Sequence, residues 1–386
     1  MKIFHTSIFK CLVVSFVTVV FIKIFFEIAF SLDFLNPVAS TFNDVDLTDI
    51  IASRLPPEDY LESDLNIVLV NIADTRSGIA KQLEILNSLN PKIIAIDATF
   101  EKIGFDKSDT LLLRAIRKTK SLVLVYKLPS TLDSLKSNQL LPNSLLKNEK
   151  NVHWGFADIP MDASSKTVRN FIPNLIFHDS VYNSFSSEIV KMVDNSSYNY
   201  LLSRGNQSEV INFRGNNYYT FKNMNDLRAE DQSFFKNKIV IIGYLGTSKY
   251  DCIDKFYTPH NAKNIGRSLP DMYGIQLHAN ILSMILHRNF ISNISNSLQY
   301  FILFIIFYLN SSLLLILLNK TKKLYGVLSK LFIVLEVVLI LYIYIILYLN
   351  FSIKLDLKKL FIGLFLLPTF FELINKLFSK VLKEKR

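Results

Sequence analysis

The stretch Asn237–Asp251, NKIVIIGYLGTSKYD, decides how this chain is read. Ile239, Val240, Ile241, Ile242 and Gly243 form a short apolar run of the kind that makes a strand covered on both faces. The Gly, Thr and Ser that follow also occur in loops that wrap nucleotides. A Walker-type loop, however, needs Gly-x-x-x-x-Gly-Lys followed by Ser or Thr, so that amides cradle the phosphates and the lysine neutralises them. Here Gly243 and Gly246 are only three apart, and Lys249 comes after Thr247 and Ser248. The dinucleotide fingerprint fails too, for want of a third glycine at the helix start. The stretch is therefore a strand leading into a turn, with Gly246 expected at a positive φ.

Three further runs of the same kind lie upstream: NIVLVNI (Asn66–Ile72), KIIAID (Lys92–Asp97) and SLVLVYK (Ser121–Lys127). Between the first two, Ile79, Leu83, Leu86 and Asn90 mark one helical face, and Pro91 closes the element. Between the second and third, Ser108 or Asp109 caps a helix whose Leu112, Ala115 and Ile116 face the sheet. Strand, helix, strand, helix, strand predicts an α/β fold with a mixed, largely parallel sheet and right-handed crossovers. Residues Leu128–Lys150, rich in Ser, Asn, Leu and Lys, read as a loop or lid. Ile275, Ala279, Leu282 and Leu286 then set a C-terminal helix, which runs through the short ISNISNS break into an apolar span.

Mean hydropathy of +0.28 and a hydrophobic share of 50% exceed what a soluble domain needs. Apolar runs at roughly 8–30, 298–318, 331–349 and 360–377 each approach the ~20 residues that cross a bilayer, the last interrupted by Pro368 and Glu372. The first carries Lys23 and Glu27, four apart on one helical face, where pairing and snorkelling offset their insertion cost. It reads as an uncleaved signal anchor; the rival is a cleaved signal peptide ending near Val38-Ala39-Ser40. The expected organisation is an anchor helix over 1–30, an extracytoplasmic sensory-type α/β domain over 31–295, three transmembrane helices over 296–378, and a basic cytoplasmic tail over 379–386.

Between Ser31 and Ser295 there are 28 Lys and Arg against 28 Asp and Glu, so the formal +10 of the chain belongs to the membrane-flanking parts. A neutral domain argues against nucleic acid as a partner. Lys2 and Lys10 precede the first span, and Lys320, Lys322, Lys323 and Lys330 join the second to the third. Lys376, Lys380, Lys383, Lys385 and Arg386 end the chain, whereas the short opposite loop holds Lys354, Lys358 and Lys359. By the positive-inside rule both termini are cytoplasmic and the large domain is periplasmic or extracellular, in a bacterial inner membrane.

Acidic residues stand where strands should end: Asp74 after the first, Asp97 after the second, Asp251 and Asp254 after the last. The ends of parallel strands converge on the crevice where α/β proteins bind ligands, so these four are candidate ligand residues for a cation or amine. The plainer alternative is that they cap helices and turns. No His or Cys joins them at ligand spacing, so neither a metal nor a cofactor is expected. His153, His178 and His278 read as hydrogen-bonded structure, Cys252 as buried, and no nucleophile or paired carboxylate is framed for catalysis.

The ordered segments IVLVNIADTRSG, PKIIAIDATF, WGFADIPMDASSKTVRNF, FKNKIVIIGYLGTSKYDCIDKFYTP and YGIQLHANIL resemble the second CHASE family, the type-two extracellular sensory domain of cyclase- and histidine-kinase-associated receptors. The likeness runs from about Ile67 to Leu286. Gly243, Pro259, Gly274, His278 and Asn280 fall in its most specific parts. The resemblance implies one span before the domain and about three after it, dimerisation, and action through an output domain. Two departures stand out. The usual stretch with Trp and Pro after the first strand is replaced by Ser77–Lys81 passing directly into a helix, and no output domain precedes Arg386. The expected function is a sensor subunit, held in the lipid bilayer, that relays an envelope or small-molecule signal to a separate membrane or cytoplasmic partner. The alternative is a structural subunit of an envelope complex, motivated by Asn310, Ser311, Ser312 and Glu336, polar groups that seek a helical neighbour within the spans. An enzyme dependent on Asp97 or Asp251 ranks third.

Overall fold

The computed structural model describes residues 2–31, 48, 64, 66–100, 104, 106–128, 146, 149–162, 166–177, 180–215, 218–229, 232–246, 251–261 and 269–384. In chain order the main elements are α1 (Lys2–Ser31), β1 (Ile67–Asn71), α2 (Arg76–Leu89), β2 (Ile93–Ile96), α3 (Lys107–Lys118), β3 (Leu122–Tyr126), β4 (Val152–Phe156), α4 (Phe185–Val193), α5 (Asn195–Ser203), β5 (Thr220–Lys222), α6 (Met224–Ala229), α7 (Gln232–Phe235), β6 (Ile239–Gly243), α8 (Gly274–Leu286), α9 (Asn296–Lys320), α10 (Tyr325–Phe351) and α11 (Leu357–Glu384). The chain divides into two compact units. One comprises Leu47–Ile291; the other joins Met1–Asp46 to Ser292–Arg386.

The first unit is built on a six-stranded sheet of order β4-β3-β2-β6-β1-β5, parallel at every pairing. Antiparallel pairing is confined to two-stranded ribbons, such as Asn174–Phe177 with Ser180–Asn183. Alternation along each strand sends side chains to two apolar layers. Ile67, Leu69, Ile93, Ala95, Ile239 and Ile241 pack with Ile189 of α4, Leu201 of α5 and Ile275 and Leu282 of α8. Val68, Val70, Ile94, Ile96, Val240 and Ile242 pack with Ile79, Leu83 and Leu86 of α2 and Leu112 and Ile116 of α3. Burying each such aliphatic side chain contributes about 1.5–3 kcal/mol, so continuous apolar strands form because both faces are covered.

The four apolar runs become β1, β2, β3 and β6. The sequence reading did not anticipate β4, whose VHWGF lacks an aliphatic run, or the three-residue β5. Two capping details also differ from expectation. Asn90 lies at the left-handed cap of α2 with φ 51° and is exposed, so it does not share the buried face. Asp106, and not Ser108 or Asp109, caps α3 by accepting the Asp109 amide at 2.7 Å. That frees the buried Asp109 carboxylate to pair with Arg76 and to accept the Gly104 amide. The expected lid lies largely outside the described residues, as do the Val38–Ser40 motif, Thr247–Tyr250 and His178.

Among the described residues the second unit has four helices long and apolar enough to cross a membrane: Ser7–Glu27 within α1, α9, α10 and Leu357–Lys380 within α11. Lys23 and Glu27 pair at 3.9 Å. Pro368, which the sequence reading took as an interruption, lies inside the continuous α11. Gly363 of α11 lets the Phe307 ring of α9 sit directly against the backbone, since a methyl group there would collide with it. Asn310 of α9 donates to Glu336 of α10 at 2.7 Å, so these intramembrane polar groups find a neighbour within the chain itself.

Candidate functional site at the carboxyl edge of the sheet

β1 and β6 are adjacent and parallel, yet the chain leaves them in opposite directions. β1 leads to α2 in one apolar layer, and β6 leads to α8 in the other. Their carboxyl ends therefore form the kind of edge at which open parallel sheets bind ligands in a crevice. The edge is held by side chains at the strand ends. Asn71 of β1 donates to the Gly246 carbonyl at 3.3 Å and accepts the Leu245 amide at 2.9 Å, tying the two strand exits together. Gln82 of α2, fully buried, donates to the Asn71 carbonyl at 2.7 Å and accepts the Ala73 amide at 3.0 Å.

The four predicted aspartates gather around this edge. Asp97 follows β2 and is half-buried, with its Cβ 3.2 Å from where a side chain on Gly243 would begin. Asp254 has φ 55° and accepts the Gly274 amide on its carbonyl at 3.0 Å, which places it against the first turn of α8. A Cβ on Gly274 would come within 3.0 Å of its carboxylate. Burial pushes the Asp97 carboxyl up to about 6. Asp254 rises to about 6 as well, through lost solvation first and the charge of Asp97 second, with Lys127 pulling the other way, although part of its surface stays open to solvent. The charge of Asp97 disfavours ionisation of Asp254, which is itself exposed.

Asp251 sits on the other side of the β6 exit, where it accepts the Tyr244 hydroxyl. That bond pushes the Tyr244 phenol up to about 12, with the exposed Asp74 among the lesser contributors. The Tyr244 and Tyr273 rings meet edge to face at 6.0 Å. Gly246 has φ 74°, as expected for the turn, and a methyl group there would strike the Tyr273 hydroxyl. Tyr244, Tyr273, Asn71 and Lys127 went unrecognised as site residues. Tyr244, the first residue after the β6 run, was the one within reach of sequence reasoning.

The remaining motif residues do different work. Gly243 ends β6, where a side chain would crowd Ile275 at 3.0 Å. Pro259 follows Thr258, whose amide donates to Asp271 at 2.9 Å in a turn away from the aspartates. His278 is buried in α8 against Phe185, with ring centroids 5.0 Å apart, and burial lowers it to about 4. Ser186 Oγ donates to the His278 carbonyl at 3.2 Å, which leaves the imidazole Nδ1–H to donate to Ser186 Oγ at 3.1 Å. Asn280, fully buried, accepts the Arg214 amide at 2.7 Å and donates to the Gln276 carbonyl at 2.8 Å. Pro259, His278 and Asn280 thus build the frame and stand outside the crevice. Cys252, expected to be buried, is exposed next to Asp251, because the turn carries it outward. Among the described residues no three His, Cys, Asp or Glu side chains converge as a metal site.

The family model of the CHASE2 domain matches residues 62–317, well over half of the chain. The chain belongs to the CHASE2 family. The match spans the unit that carries the crevice and continues through most of α9, so the first helix after the domain lies within the family's own boundaries. CHASE2 is an extracellular sensory domain and not a catalytic one, and with the four apolar helices it fits a membrane protein. No curated protein and no solved structure matches the chain.

Proposed function

We propose that this protein is a membrane-anchored sensor subunit whose CHASE2 domain, outside a bacterial inner membrane, reads a small molecule or envelope condition and passes its state to a separate partner protein. Support comes first from the position of the acidic crevice. Asp97 and Asp254 meet at the first turn of α8, and α8 leads within ten residues into α9, a helix long and apolar enough to cross a membrane. Charge added to or removed from that turn acts on the element that continues toward the bilayer. The lysines flanking the spans favour cytoplasmic termini. Two clustered carboxylates beside the Tyr244 and Tyr273 rings suit a cationic ligand, an amine or a proton.

The test is affinity purification of the full chain from native membranes in mild detergent, with mass spectrometry of what accompanies it. A cytoplasmic kinase, cyclase or comparable effector is expected. Stoichiometric recovery of a secretion or envelope component would instead favour a structural subunit. That alternative rests on intramembrane polar groups: Asn310 and Glu336 share one hydrogen bond inside the chain, while Asn310 Oδ1, Ser311 Oγ and Glu336 Oε2 are buried without a hydrogen-bond partner. For the crevice, putrescine serves as the probe. It should raise the melting temperature of the wild type and leave an Asp97→Asn/Asp254→Asn variant unmoved; an equal shift in both would remove the crevice from the mechanism.

A further inference from the structure

Glu336 of α10 and Asn310 of α9 meet inside two membrane-spanning helices. At 1.5 Å per residue Glu336 is about 16 Å from the first residue of α10 and about 22 Å from its last, deep in a hydrocarbon core of ~30 Å. Asn310 is 3% exposed. Its Nδ2 donates twice, to the Ile306 carbonyl one turn back at 2.9 Å and to Glu336 Oε1 at 2.7 Å. Turning the amide over would set its oxygen against both of those acceptors, so the orientation of the amide is fixed. Asn310 Oδ1 and Glu336 Oε2 are then buried without a hydrogen-bond partner. Both can only accept while the acid is ionised, and a buried acceptor without a donor is costly. Ser311 Oγ is buried without a partner as well, but it is turned about 100° round α9 from Asn310 and carries its own proton.

We propose that Glu336 binds a proton inside the membrane, on Oε2, and donates it to Asn310 Oδ1. One proton removes both defects: amide N–H to acid carbonyl and acid O–H to amide carbonyl close a ring of two hydrogen bonds between α9 and α10. Charge gives the same answer. A carboxylate in hydrocarbon needs a cation beside it, and among the described residues none pairs with Glu336. Lys330 of α10 is exposed nearly two turns away, and Lys320 stands at the end of α9. Glu372, the acid within the span of α11, is exposed too and brings no positive charge. A metal ion such as Ca²⁺ takes 6–8 oxygens, more than the site has. Ile306 and Ile340, each four residues from a member of the pair, line a cavity of about 240 Å³ toward the start of α9. Packing is open next to the pair, which makes the protonated pair a joint between the two helices. Losing the proton would set two lone-pair oxygens against each other and loosen α10 from α9, the helix that follows the CHASE2 domain.

The test is infrared spectroscopy of the full chain in vesicles of phosphatidylethanolamine and phosphatidylglycerol at pH 7.5. The wild type should show the carbonyl stretch of a protonated, hydrogen-bonded carboxylic acid that Glu336→Gln lacks. Glutamine keeps a donor where the acid proton stood, so the variant retains the joint while losing the acid. Asn310→Ala should move the same band to the higher frequency of an acid without a partner. A charged glutamate held by the same bond would move the carboxylate bands instead. Should Glu336→Gln fail to elute as the wild type does, the Asn310→Ala difference decides by itself. Carboxylate bands lost in Glu336→Gln, with no acid band, would overturn the proposal and point to a charged Glu336 bridged to Asn310 by a buried water.

Discussion

Replacing Asp97 by Asn should stabilise the CHASE2 domain at neutral pH and flatten its response to acid. The native carboxyl is held at about 6 against 3.8 in an unstructured chain, mainly because burial disfavours its charge. An aspartate with a raised folded pKa binds more protons folded than unfolded between those two values, so stability falls as pH rises through that window. Above about pH 6 the whole penalty is present; below 3.8 it is gone. About two units correspond to roughly 3 kcal/mol. Asparagine keeps the shape without the charge, and for a domain of this size that translates into a gain of about 6–12 °C in Tm at pH 7.5, shrinking to nothing near pH 4. The assay is thermal unfolding of the full chain in detergent across pH 4–8, followed by Trp154, the sole tryptophan, which sits on β4 of the same sheet. Because other groups also titrate, the decisive quantity is the difference between variant and wild type at each pH. Removing the Asp97 charge also relieves Asp254, so the two titrate as a pair and the double variant should gain less than the sum. If Asp97→Asn is no more stable than the wild type at pH 7.5, or the difference does not shrink toward pH 4, the carboxylate is not strained in the crevice.

His278 should show the opposite slope. Its folded value near 4 lies below the usual 6.5, so its contribution is present above pH 6.5 and lost as pH falls toward 4. A His278→Gln variant compared with the wild type over that window should therefore lose the acid-side drop, by about 3 kcal/mol. Gly155→Ala should be severely destabilising, since the added methyl would lie 2.5 Å from the Phe185 backbone where β4 meets α4, and backbone cannot yield; a loss of about 3 kcal/mol or more, read as Tm, is expected. Gly246→Ala should cost about 1–3 kcal/mol, from its φ of 74° and the clash with the Tyr273 hydroxyl. Adding Tyr273→Phe should recover the steric part and leave the backbone part, which a double-mutant cycle separates.

Local pattern carried a good deal of this. Four apolar runs became β1, β2, β3 and β6, because a strand covered on both faces must be apolar at every position. The four spans stood out because a bilayer demands length and hydropathy that no soluble helix needs. Gly246 was placed at positive φ from its turn alone. The aspartates were found because a strand end is recognisable along the chain. Tertiary structure decided the rest. The order that inserts β6 between β2 and β1 depends on contacts between residues more than a hundred positions apart, and only that order makes β1 and β6 neighbours whose exits diverge into a crevice. Strand β4 needed β3 beside it and Phe185 above Gly155, neither of which its own VHWGF betrays. His278 and Asn280, as distinctive in sequence as Asp97, turned inward, because the face of α8 they occupy is set by the sheet it packs on. Glu336 found Asn310 on the preceding span, a pairing that depends on how two helices face each other and leaves no mark on either one alone.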